Sequence, residues 1–211
     1  MSTRVVSAPR GRILLLTLES DDGLPRLERR VLADLASQIE RLAAAEFDGC
    51  VITGGEAAFA VGAEISELAR LTAAEAYEFS RVGQSIFRRV EQSPKPVIAA
   101  IRGYCMGGGL DLALACQARV ASPDAAFAHP GGSLGILTGW GGTQRLTRLI
   151  GRGRAMEMFT TGRKLDASEA LECGLISKIL PASEILSAAA ELSGRTGRIS
   201  RRAPARGSLW L

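Results

Sequence analysis

Val97-Ile98-Ala99-Ala100-Ile101-Arg102-Gly103-Tyr104-Cys105-Met106-Gly107-Gly108-Gly109-Leu110-Asp111 is the stretch that decides the fold. Its first five residues are apolar and mostly branched, the pattern of a short strand buried on both faces. A turn follows, then three glycines, then the helical run Leu110 to Cys116. Glycines at a helix start strip the side chains from one spot. A ligand atom can then approach bare backbone N–H groups, and the helix N-terminus favours negative charge there. A tight packing turn between strand and helix accounts for the same residues, so the meaning of the stretch depends on the rest of the chain.

The chain has 211 residues, 46% hydrophobic and 23% charged, which fits one globular domain with a sizeable core. No apolar run is long enough to span a membrane, and the N-terminus lacks the apolar core of a signal peptide, so a cytoplasmic location is expected by default. Cys50, Cys105, Cys116 and Cys173 form no CxxC pair and no Cys/His cluster. Buried free thiols and no metal site are the expectation. The formal charge of +4 rests on Arg195, Arg198, Arg201, Arg202 and Arg206; without them 21 basic residues face 22 acidic ones. That basic segment has no interleaved aromatics, so no nucleic-acid partner is expected.

Outward from the opening stretch, residues 11–18 read as a buried strand. Leu27, Val31, Leu35, Ile39 and Leu42 recur at helical spacing over 27–45. Residues 50–53 form a strand, and small residues around Gly62 precede a helical turn near Glu64. The 72–92 helix opens on Thr72 with Glu75 three residues on, a capping-box spacing. Strands at 118–121 and 125–129 lead into a glycine-rich loop over 130–142. Helices follow at 143–150, 153–160 and 167–173, then a strand at 176–180 and a helix from Ser183 to about Leu192. Alternating strands and helices indicate α/β. Neither GxxxxGK nor strand–GxGxxG is present, which leaves the common nucleotide folds without support. From Gly194 the periodicity dissolves, so residues 1–194 are expected as one core domain and 195–211 as a disordered, Arg-rich tail.

Phe59-Ala60-Val61-Gly62-Ala63-Glu64-Ile65, Lys95 to Gly103, Gly107 to Ala115 and Gly141-Gly142-Thr143-Gln144-Arg145-Leu146 together resemble the crotonase (enoyl-CoA hydratase/isomerase) superfamily, over roughly residues 11 to 192. The resemblance implies a spiral of ββα units, an acyl-CoA thioester substrate and a homotrimer or hexamer. It also implies that coenzyme A arrives as part of the substrate, with no separate cofactor. By position, the Ala63 and Gly108 N–H groups would hold the thioester carbonyl, with the adenine contact near the Val61 backbone. Val61, Gly62, Gly107, Gly131, Gly139 and Trp140 are the expected substrate-binding positions. Glu64, where the family usually has aspartate, is expected to hold loop structure. The usual C-terminal helical region is expected to be largely missing, leaving apolar surface exposed.

Hydratases of this family use two glutamates. The first aligns with Asp111, and the second with Gly131. Asp111 is therefore the expected acid–base group, its alternative being a first-turn carboxylate favoured by the helix dipole. His129, the only histidine, is a second candidate. In an extended segment it would point the same way as Gly131, and its alternative is a hydrogen-bonded histidine at a strand end. Trp140 either shapes the acyl pocket or fills a core gap. The expected function is enolate stabilisation on an acyl-CoA thioester, by an enoyl-CoA hydratase/isomerase-type enzyme. The alternative is a non-catalytic binding or assembly member, or a truncated gene product.

Overall fold

The computed structural model describes residues 2–202. Strands β1 (Thr3–Arg10) and β2 (Ile13–Ser20) form an antiparallel hairpin, followed by helix α1 (Arg29–Ala44). A repeating path then begins with β3 (Gly49–Thr53), β4 (Ala58–Ala60), the single-turn α2 (Ile65–Leu68) and α3 (Ala73–Glu91). Its second turn is β5 (Val97–Ile101), β6 (Tyr104–Met106) and α4 (Gly108–Ala115). The third is β7 (Ala118–Ala121), β8 (Ala126–Ala128), a 3-10 turn over Pro130–Leu134 and α5 (Gly142–Ile150). The chain continues through α6 (Arg152–Thr161), β9 (Leu165–Asp166), α7 (Ala167–Glu172), β10 (Lys178–Ile179) and α8 (Ile185–Arg202).

Each turn of the path gives one strand to a six-stranded sheet, β1-β2-β3-β5-β7-β10, and the next to a four-stranded sheet, β4-β6-β8-β9. β3, β5 and β7 run parallel, as do β4, β6 and β8. This is the spiral of ββα units. The inner strands of the large sheet are buried on both faces. Leu14, Leu16, Ile52, Val97 and Ala99 join the main core beneath α1, α3 and α4, while Ile13, Val51, Ile98 and Val120 meet Ile185 and Ala189 of α8. Alternate residues serve opposite cores, which is why these strands read as unbroken apolar runs.

The capping box at Thr72 and Glu75 is present, and the apolar stripe of α1 is buried. Four expectations are corrected. Residues 58–60 and 104–106 are strands of the small sheet, not loop and turn. β4 and β6 are three residues long, and their pairing is set by neighbours distant in sequence. The 176–180 strand shrinks to Lys178–Ile179. The last helix extends past Leu192 to Arg202, so the expected tail begins as helix. Ser193 anchors it by donating to the Pro96 carbonyl at 3.1 Å, a contact invisible to local pattern. The remainder of the expected tail, 203–211, lies outside the described residues. Among the described residues no helix is long and apolar enough to cross a membrane.

Candidate active site

The site begins where β4 and β6 end side by side. Gly107 takes φ +50°, and its N–H donates to the Ala128 carbonyl at 2.9 Å, so the next residue, Gly108, starts α4. Gly62 takes φ +106° and is fixed by Leu27 N–H donating to its carbonyl at 2.8 Å. A Cβ on Gly62 would lie 3.2 Å from the Gly108 nitrogen, and one on Gly109 would strike the Ala60 carbonyl. The two segments therefore pack main chain to main chain, which glycine alone permits. Among the described residues, neither the Ala63 nor the Gly108 N–H donates to a protein acceptor. Glu64 caps α2 by accepting from the Ser66 N–H at 3.1 Å, and it pairs with Arg26 at 3.2 Å. That hydrogen bond to Ser66, with Arg26 assisting, holds the Glu64 carboxyl below its ordinary range. Glu64 thus serves loop structure.

Opposite this backbone wall stand side chains. His129 ends β8 and Asp111 lies in the first turn of α4, and both are buried. His129 Nε2 stands 3.7 Å from Asp111 Oδ1, and neither ring nitrogen nor Oδ1 has a hydrogen bond. Oδ2 accepts from the Thr138 hydroxyl and, at 3.2 Å, from the Trp140 N–H. Burial pushes Asp111 up to about 6 against the opposing pull of Thr138, the Trp140 and Gly142 N–H groups and Arg145. Burial alone pushes His129 down to about 4. Gly142 has to lack a side chain, because a Cβ there would strike Asp111 Oδ1.

Trp140 fills a core gap and also lines the cavity. Its Nε1–H donates to the Phe79 carbonyl at 3.3 Å, and its ring meets Phe79 and Phe87 edge-on at 5.2 and 5.6 Å. A Cβ on either Gly83 or Gly108 would collide with the indole. Trp140 is therefore a core wedge whose ring lies over the start of α4, and it also faces the cavity.

That cavity, of about 440 Å³, is lined by Val61, Gly62, Ala63, Gly107, Gly108, His129, Gly131, Gly139 and Trp140. Asp111 is not on its wall. The carboxylate sits behind Thr138 and Trp140, both of which donate to it. The extended segment expected to align His129 with Gly131 is corrected. His129 precedes a 3-10 turn, and a Cβ on Gly131 would lie 2.5 Å from the Ile136 carbonyl oxygen. Position 131 reaches the cavity but has no room for a side chain. Sequence reading missed Thr138, Phe79 and Phe159, which also line the cavity. Only the polarity of Thr138 within a glycine-rich loop hinted at its place. The rim exposes Ile65, Leu134 and Leu137. No cluster of His, Cys, Asp and Glu suited to a metal occurs among the described residues.

The spiral of ββα units with a cavity at its helix starts defines a crotonase-fold protein. The family model for enoyl-CoA hydratase/isomerase matches residues 10–204, and the chain belongs to that family. It is 36% identical over 193 residues to a short-chain-enoyl-CoA hydratase of Clostridium acetobutylicum, covering 90% of this chain and 74% of that protein. It is 43% identical over 146 residues to a crotonyl-CoA hydratase of Syntrophomonas wolfei, covering 69% and 56%. Among solved structures, an enoyl-CoA hydratase from Bacillus anthracis superposes with a TM-score of 0.85 at 34% identity, covering 90% of this chain and 75% of that one.

Proposed function

We propose that the cavity binds an acyl-CoA thioester with its carbonyl oxygen received by the Ala63 and Gly108 N–H groups. As an enolate forms, negative charge grows on that oxygen between two fixed donors, one of them at the start of α4. A donor of this kind supplies roughly 10²–10³ in rate, and the helix dipole acts in the same direction. Val61, Gly62 and Gly107 let the CoA arm lie along bare main chain. Gly139 and Trp140 bound the acyl group, which suits a short chain.

His129 is one acid–base group on the cavity wall. Its burial keeps the imidazole neutral near pH 7, so it can accept a proton, and the Asp111 carboxylate 3.7 Å away stabilises the imidazolium once formed. The pair takes the part that the resemblance gives to a glutamate at position 131, where a side chain has no room. The observation that supports this reading is that Ala63 and Gly108, whose N–H groups have no protein acceptor among the described residues, line the same cavity as His129. Reversible addition of water to a short enoyl-CoA is the first reaction to test. A homotrimer or hexamer is the proposed assembly, to be read by sedimentation.

The test is turnover of crotonyl-CoA, with malonyl-CoA and a β-ketoacyl-CoA in parallel and His129→Ala and Asp111→Asn as controls. Hydration of crotonyl-CoA that falls in both variants is expected. Folded protein that binds CoA thioesters and turns over none of them sinks the reading. Turnover of malonyl-CoA alone would move the reaction to decarboxylation on the same enolate.

A further inference from the structure

Asp111 is fully buried and off the cavity wall, yet each of its oxygens faces a polar group that is on that wall. Oδ1 faces His129 Nε2 at 3.7 Å, beyond hydrogen-bond reach. Oδ2 accepts the Thr138 hydroxyl. Oδ2 also accepts the Trp140 main-chain N–H, but of its two donors only Thr138 has a hydroxyl that can both give and take a proton, so the path for a proton from the carboxylate to the cavity runs through Thr138. A hydroxyl donates one hydrogen bond and accepts two. With its proton committed to Asp111, Thr138 Oγ1 turns lone pairs to its surroundings, and the residue lines the cavity.

The hydroxyl is held in place from several sides. Ser80 and Gln84 of α3 both donate to the Gly139 carbonyl, at 2.8 and 2.7 Å. Arg145 Nη1 donates to the Trp140 carbonyl at 3.0 Å, and Arg145 Nη2 pairs with Glu91 at 2.8 Å. A Cβ on Gly142 would come within 3.0 Å of Thr138 Cγ2, so Gly142 lets the threonine methyl approach that closely. A loop pinned this way immediately after Thr138 keeps Oγ1 aimed at Oδ2.

We infer that Thr138 is a further acid–base residue, whose hydroxyl relays a proton between the buried Asp111 carboxylate and the group bound in the cavity. The inference rests on the acyl-CoA reading above. In hydration, the water oxygen bonds to the β-carbon as one water O–H bond breaks. That proton joins Thr138 Oγ1 while the threonine proton passes to Asp111 Oδ2. The same path reversed delivers a proton to the α-carbon as the enolate collapses, so Asp111 and Thr138 end as they began and the substrate has gained one water. The charged and titratable groups that face Asp111 are His129 from the end of β8, Arg145 from α5 and Cys105 from β6.

Thr138→Val removes the hydroxyl and keeps the shape, Thr138→Ala repeats the deletion should the valine variant fail to fold, and Thr138→Ser keeps the hydroxyl. With crotonyl-CoA, the deletion is expected to lower kcat roughly 10²-fold, the low end for a lost acid–base group. KM should change little, and Thr138→Ser should recover most of the rate. In mixtures of light and heavy water, the wild-type rate is expected to curve with deuterium fraction because two protons move together, and the deletion variant to respond linearly. The acid limb of the kcat–pH profile should also move to higher pH in the variant, because Asp111 has lost a donor. An active wild type whose folded deletion variant keeps its kcat, or whose serine variant falls equally, overturns the inference alone. A wild type that neither hydrates crotonyl-CoA nor exchanges the α-protons of butyryl-CoA with heavy water overturns the acyl-CoA reading, and the relay with it.

Discussion

The two walls of the cavity are built from different material. One is main chain, Val61–Ala63 against Gly107–Gly109, fixed by backbone hydrogen bonds and by the absence of side chains. The other is side chain, namely His129, Thr138 and Trp140 with Asp111 behind them. A main-chain wall survives any sequence that keeps its glycines, because its donors belong to every residue. A side-chain wall changes with each substitution. In the proposed function, the first wall stabilises charge on a carbonyl oxygen and the second moves the proton. The resemblance read in the sequence runs through the first wall, at Phe59–Ile65 and Gly107–Ala115, and the expected departures at Asp111 and Gly131 fall on the second.

The largest expected effect tests the second wall. His129→Ala should lower kcat for crotonyl-CoA by about 10²–10⁴, the range for a missing acid–base group, with KM within a few-fold. Steady-state kinetics that show no loss would make the side-chain wall mere packing. The first wall is tested by Gly108→Ala, whose new methyl collides with the Trp140 indole. Displacement of the loop or of the Gly108 N–H should cost about 10²–10³ in kcat. Combining it with Trp140→Ala should recover part of the loss, as coupled neighbours do; a double variant no better than the single one would show that the indole does not set this wall. A smaller effect probes the boundary between the walls. Gly131→Glu should destabilise the fold by about 1–3 kcal/mol as an overpacked site, read by denaturant unfolding, and should not raise turnover. A gain in activity would mean that position 131 can present a carboxylate after all.

Legibility in the sequence follows the same division. The helical stripe of α1, the capping box of α3 and strand β5 were readable because each is a local pattern. The small sheet was not, since β4 and β6 are three residues long and owe their strand form to parallel neighbours far along the chain. Resemblance to the family singled out Ala63 and Gly108, and the structure sets their segments against each other. It did not reveal that Asp111 is walled off by Thr138 and Trp140, because that depends on the path of the 130–142 loop. Nor did spacing bring Asp111 to His129, which sit on different turns of the spiral. Trp140 gave no sign that Gly83, in a helix distant in sequence, leaves the space it fills.

The smallest expected effect lies within the side-chain wall and concerns stability. Asp111 is raised from 3.8 to about 6, so between those values the folded protein holds more protons than the unfolded chain. Its contribution is full below 3.8 and is lost as pH rises through about 6. His129 is lowered from 6.5 to about 4, so in that interval the folded protein holds fewer protons. Its contribution is present above 6.5 and is lost as pH falls through about 4. The two slopes oppose each other across about pH 4 to 6 and largely cancel in the wild type. Removing one partner exposes the other. Relative to wild type, Asp111→Asn should gain stability as pH rises from about 4.5 to about 6, by roughly 1 kcal/mol per pH unit. His129→Gln should lose it at a similar rate. Urea unfolding of the three proteins at both pH values measures this. Parallel slopes in all three would mean that the pair titrates as freely as in water, and the wall that holds Asp111 out of the cavity would have to be more open than its burial implies.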